Sequence, residues 1–169
     1  MFFDRMGRLA AVLMLVAAGT FVGACDFTQT TTTPPTGMGQ EVRDGKFGFT
    51  VTQVNNSPTF GDTRAQGVYV IVLMTVKNVG TEGRDFEWHA QALKDSVGHE
   101  YSPSFTDLSE AGDNPDSYEM DPELEVRVKL AFDVLPDLKP TQIVLHDSAS
   151  SHGVPVNLMQ PLHLPRAAD

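Results

Sequence analysis

From Leu124 to Val134 the chain alternates without a break. Leu124, Val126, Val128, Leu130, Phe132 and Val134 hold one parity, and Glu125, Arg127, Lys129, Ala131 and Asp133 hold the other. A period of two puts the sets on opposite faces of an extended strand, and one wet face marks an antiparallel sheet. Other segments read the same way. Phe47, Phe49 and Val51 alternate with Gly48, Thr50 and Thr52, and Phe86, Trp88, Ala90 and Ala92 alternate with Glu87, His89, Gln91 and Leu93. Val68 to Val76 is almost continuously apolar and β-branched, as expected of a central strand covered on both faces. Ile143 to Leu145 and Val154 to Leu158 are shorter candidates. Turn chemistry separates them at Asn78-Val79-Gly80, Asp95-Ser96-Val97-Gly98, Leu135-Pro136-Asp137 and Ser151-His152-Gly153. No window carries the 3.6-residue period of an amphipathic helix, although Ser109 to Asn114 leaves room for one helical turn. About seven strands without helical crossovers predict an all-β, immunoglobulin-like antiparallel sandwich, with Trp88 buried between the sheets.

Residues 1–24 read as a processing segment. Arg5 and Arg8 precede an uncharged, largely apolar run from Leu9 to Val22. A membrane span needs roughly 20 apolar residues, so this shorter run suits a signal-peptide core. It closes on Val22-Gly23-Ala24-Cys25, which resembles the bacterial lipobox: an aliphatic residue, two small residues and a cysteine. The resemblance implies signal-peptidase recognition at Val22, Gly23 and Ala24 and lipidation of Cys25, the chain's only cysteine. It departs only in having Val where Leu is commoner. A single cysteine also excludes an internal disulfide and a cysteine-rich zinc site.

Residues 25–44 carry Thr28, Thr30 to Thr33, Thr36, Pro34 and Pro35 with no apolar periodicity, and are expected to form an extended tether. The sandwich is then expected over residues 45–160, with a tail over 161–169.

Three further segments resemble a family of Ig-like extracytoplasmic bacterial lipoproteins of unknown function, grouped in a telokin-like superfamily with a small secreted actinobacterial immunoprotective antigen. They are the strand Tyr69 to Lys77 closing on Asn78, the D-x-x-G-x-x-Y hairpin from Asp95 to Tyr101, and Met120-Asp121-Pro122 leading into the strand that ends at Asp133-Val134-Leu135-Pro136. Leu135 is an insertion relative to that family's pattern. The resemblance implies a sandwich at the cell surface and assigns no catalytic residues.

Composition narrows the chemistry. Twelve basic residues against 22 acidic ones give a formal charge of −10, which argues against a nucleic-acid partner. The stretch 107–125 holds Asp107, Glu110, Asp113, Asp116, Glu119, Asp121, Glu123 and Glu125 with no basic residue. Hard cations take clustered oxygens, so Asp113, Asp116 and Glu119 are candidate calcium ligands, although the spacing is not that of an EF-hand. His89 and His99 are placed to meet across a hairpin, but two imidazoles do not complete a zinc site. Ser148 to Ser151 lie between His146 and His152, an arrangement that a serine-rich turn produces by composition alone. No G-x-S-x-G and no phosphate-cradling glycine loop occurs.

The expectation is therefore a non-catalytic lipoprotein without a cofactor, held to the extracytoplasmic side of the cell membrane by its anchor. Its partner would be a protein or an envelope component. The alternative is a small lipoprotein capturing calcium or another ligand through 107–125.

Overall fold

A computed structural model describes residues 36–108 and 117–159, and residues 112–113 by backbone alone. Among these residues the chain forms thirteen strands. In order they are β1 (Thr36–Gly37), β2 (Glu41–Asp44), β3 (Phe47–Phe60), β4 (Thr63–Asn78), β5 (Arg84–Phe86), β6 (Ala92–Asp95), β7 (Glu100–Tyr101), β8 (Phe105–Leu108), β9 (Gly112–Asp113), β10 (Tyr118–Met120), β11 (Glu125–Val134), β12 (Pro140–Leu145) and β13 (Val154–Asn157). One sheet runs β2-β3-β4-β11-β8-β9, the other β1-β13-β12-β6-β7, and β5 pairs with β10 in a two-stranded ribbon. Every pairing is antiparallel except that of β1 with β13.

The sheets share one core. Phe47, Phe49, Val72, Met74, Val128, Leu130 and Phe132 from the first sheet meet Leu93, Ile143, Leu145 and Val156 from the second. Phe47 and Phe86 meet edge to face with centroids 5.8 Å apart, closing the gap between β3 and the ribbon. β11 keeps most of the alternation expected of it: Val126, Val128, Leu130, Phe132 and Val134 are buried and Glu125, Arg127 and Lys129 are exposed, but on the outer parity Ala131 is buried and Asp133 half-buried.

Three strand expectations need correction. First, residues 86–93 are not one strand. Phe86 ends β5, Trp88–Ala90 forms a single 3-10 turn, and β6 starts at Ala92. The turn reverses the parity, so Phe86, Trp88, Gln91 and Leu93 are buried, whereas Ala90 and Ala92 are only half-buried. Its cause is long-range. The buried Gln91 amide donates to the carbonyls of Glu87 and His146 and accepts from the His146 N–H.

Second, β4 is covered on one face only. Val70, Val72, Met74 and Val76 are buried, while Ile71, Leu73 and Thr75 are half-buried. Tyr69 lies on that outer parity but is buried there, because Phe60 and Phe105 pack over it with centroids 6.3 and 6.0 Å away. Two register shifts, between Val51 and Gln53 and between Ser57 and Thr59, bend β3 so that Phe60 reaches this cluster. Pro58 occupies the second shift, where no ladder N–H is required.

Third, the sandwich begins before Gly45. β1 pairs with β13, β2 pairs with β3, and Val42 joins the core. From Thr36 onward the span expected to be a tether instead belongs to the sandwich.

The motif at the end of β4 is a hydrogen-bond knot. Asn78 is fully buried. Its Nδ2 donates to the carbonyls of Glu82 and Met120, both at 2.8 Å, and its Oδ1 accepts from the Gly80 N–H at 2.9 Å. The next turn, Asp121 to Leu124, is closed by the Leu124 N–H donating to the Asp121 carbonyl. Glu123 holds φ 64 there, a position that normally favours glycine. Its N–H donates to the Asn78 carbonyl and its carboxylate pairs with Lys77 at 2.6 Å, so the strained residue is held from both sides.

Candidate functional site

β4 and β12 both finish at the end of the sandwich that holds Asn78 and Asp147, called here the near end. β1 runs parallel to β13, from Thr36 opposite Val156 to Gly37 opposite Asn157, and so points toward the β11–β12 turn at the opposite, far end. The tip of the β3–β4 hairpin, the β6–β7 turn, the β7–β8 link at Ser104 and the β11–β12 turn lie at that far end.

The β6–β7 turn explains the D-x-x-G-x-x-Y motif. Asp95 Oδ1 accepts from the N–H groups of Val97 and His99, both at 2.9 Å. Its Oδ2 meets His99 Nδ1 at 3.0 Å and accepts from the Tyr101 hydroxyl at 3.2 Å. Gly98 supplies φ 89, which an L side chain rarely adopts. One carboxylate thus closes the turn and fixes the Tyr101 ring. Burial pushes the Asp95 carboxyl up, but the hydrogen bonds from His99, Val97 and Tyr101 outweigh it and hold the group below its ordinary value.

A carboxyl depressed by folding contributes stability above its unfolded-state pKa and loses it as pH falls through the folded value. Asp95→Asn is therefore expected to lower the melting temperature at pH 7, with the gap to the parent narrowing toward pH 3. Thermal melts across that range check this; a gap independent of pH would contradict it.

The turn also displays Val97, which is 74% exposed, and across from it the β11–β12 turn displays Leu135 at 73%. Both line one hollow of about 540 Å³, together with Tyr101, Pro136 and Leu138. Tyr101, Leu135 and Pro136 also wall a second hollow of about 780 Å³, whose other side holds Arg64, Gln66 and Asp133. Asp133 accepts from the N–H groups of Gln66 and Gly67 and so ties the β3–β4 arm to β11. Gly67 takes no side chain, because a Cβ there would lie 2.0 Å from the Val134 carbonyl oxygen.

The residues singled out in the sequence fall elsewhere. Val22, Gly23, Ala24 and Cys25 lie outside the described residues, as do Asp116 and the side chain of Asp113. Glu119 is exposed on β10. Two carboxylates of the acidic stretch are paired, Asp107 with Lys129 and Glu123 with Lys77. Among the described residues no group of three or more His, Cys, Asp or Glu side chains is placed to hold a metal ion. His89 stacks on Trp88 while His99 bonds Asp95. His146 Nδ1 lies 3.2 Å from the Ser151 carbonyl oxygen and 3.3 Å from its Oγ, and that hydroxyl donates to the Ser148 carbonyl. The serine proton and the facing ring nitrogen thus both serve the turn. Sequence reasoning missed the far-end surface. Its one signal was Leu135, an apolar residue in a turn.

The fold and its open loop end define a small antiparallel β-sandwich module. The chain belongs to the family described as Domain of unknown function (DUF4352), whose model matches residues 36–155. The first matched residue is the first residue of β1. No curated protein matches the chain. Among solved structures it resembles the yjhA protein of Bacillus subtilis, with 17% identity and a TM-score of 0.55, over 73% of this chain and 99% of that one. It also resembles MPT63, a secreted protein of Mycobacterium tuberculosis, with 15% identity and a TM-score of 0.54, over 75% and 99%. Both likenesses are likenesses of fold.

Proposed function

We propose that this chain is a lipid-anchored cell-envelope protein whose sandwich serves as a non-catalytic binding or accessory module on the extracytoplasmic side. The anchor is Cys25, exposed by removal of residues 1–24 after Val22-Gly23-Ala24, and the partner is a protein or envelope component. The observation that carries this reading is the run Val22-Gly23-Ala24-Cys25, which closes an apolar segment on the chain's only cysteine. The open loops with Val97 and Leu135 give the sandwich an exposed surface for a partner. The resemblance to a secreted protein supports an exported location.

The test is metabolic labelling with a fatty-acid analogue. The parent chain is expected to take up label and to run as the processed form, whereas Cys25→Ala is expected to remain an unlabelled precursor. Equal label on both, or label on neither, would contradict the proposal.

A further inference from the structure

The two far-end hollows adjoin along Tyr101, Leu135 and Pro136, a trough divided by that shared wall. Tyr101 stands at their junction, half-buried against the core, with its hydroxyl pinned by Asp95. Leu135 and Pro136 face it, both exposed. The larger hollow adds the exposed side chains of Arg64 and Gln66. The walls thus combine a fixed aromatic ring, an apolar ridge, and planar amide and guanidinium groups that hydrogen-bond in a plane.

A sugar ring presents the complementary surface, an apolar C–H face bordered by hydroxyls that both donate and accept. Flat amphipathic side chains suit such a face, because they bury area at low entropic cost. Charge narrows the class further. Arg64 is offset by Asp133 in one hollow, and Lys139 stands against Asp95 and Asp137 in the other, so neither hollow offers an anion a net positive surface. A chain of formal charge −10 repels anionic polymers. Both hollows are open to solvent, which fits a segment of a longer chain better than a small molecule enclosed on all sides. We infer that the far-end trough binds a neutral oligosaccharide stacked on Tyr101 and hydrogen-bonded by Arg64 and Gln66, an inference that rests on the binding-module reading and names its ligand class.

The chain's three tyrosines provide the readout. Tyr101 stands at the trough junction and Tyr69 lines one hollow, whereas Tyr118 lies on β10 in the ribbon that Asn78 ties to the near end. The full chain, labelled with ¹³C-tyrosine and held in detergent micelles, is titrated with chitohexaose, maltohexaose, a hyaluronan hexasaccharide and a proline-rich peptide. The expected result is a saturable shift of the Tyr101 resonance with at least one neutral sugar, with a Kd below about 1 mM. Tyr118 stays in place and hyaluronan has no effect. Arg64→Ala, an exposed change, is expected to weaken the binding about tenfold while the melting temperature holds. Four results would overturn the inference: no Tyr101 movement with either neutral sugar at about 10 mM, equal movement at Tyr118, binding of hyaluronan alone, or movement with the peptide alone. The last would assign the trough to a protein partner and leave the binding-module reading standing; failure of the Cys25 labelling would remove the anchor without touching the trough.

Discussion

Replacing Trp88 with alanine is expected to cost about 3–5 kcal/mol, the usual loss for truncating a large buried aromatic. The side chain is 4% exposed and packs into the core shared by both sheets and the β5–β10 ribbon. It also begins the 3-10 turn whose closing bond runs from the Gln91 N–H to the Trp88 carbonyl. A small domain has only about 5–15 kcal/mol to lose, so the variant should sit close to its unfolding threshold. Because the chain has a single tryptophan, fluorescence reports on the site directly. The parent should emit to the blue of free indole and resist iodide quenching, and urea titration of both proteins gives the difference. Emission like that of indole in water, easily quenched, would contradict burial.

Asn78→Asp should be as damaging, although it changes the side chain's size hardly at all. The amide donates to the Glu82 and Met120 carbonyls inside the protein. A carboxylate donates to neither and turns negative charge toward both oxygens. Each buried acceptor left without a donor costs about 1–3 kcal/mol, so the pair predicts roughly 2–6 kcal/mol at neutral pH. The introduced carboxyl is forced toward its neutral form in the folded protein, which raises its pKa above the unfolded value. Stability is therefore best preserved below the unfolded pKa and lost as pH rises through the folded one. Urea titrations at pH 4 and pH 7 should show the larger deficit at pH 7. A variant as stable as the parent at pH 7 would mean that the knot does not hold the end of β4.

How much of this fold was legible depended on where each strand's pattern came from. β11 was legible because burial sets its alternation, which only the buried Ala131 interrupts between Val126 and Val134. β4 misled because Ile71 and Leu73 are apolar yet sit half-buried on the outer face, where Phe60 and Phe105 pack over Tyr69. Period-two reasoning failed at Trp88, since Gln91 is buried by bonds to a residue 55 positions away. β1 and β2 escaped notice because short edge strands leave little signal; Val42 is the sole buried apolar residue between Thr36 and Asp44. The acidic stretch looked unpaired for a related reason. Its lysine partners lie far off in sequence, Lys129 beside Asp107 across the β8–β11 pair and Lys77 beside Glu123.

The candidate site divided along similar lines. The D-x-x-G-x-x-Y and V-K-N motifs were visible as patterns, and in the fold both prove mechanical. The first closes the β6–β7 turn and aims Tyr101, and the second ties down the end of β4. The trough was not visible, because its walls come from four connections that meet only when the sheets are paired. Gln66 and Asp133 are 67 residues apart and joined by one hydrogen bond.

The central claim is that the sandwich is carried on a lipidated Cys25. The most direct measurement is the intact mass of the protein extracted from the membrane fraction of its cells, with fragmentation from the N-terminus. The account predicts a chain starting at Cys25 whose first residue carries a diacylglyceryl adduct. A chain that still begins at Met1, or one that begins elsewhere with a free Cys25 thiol, would contradict it.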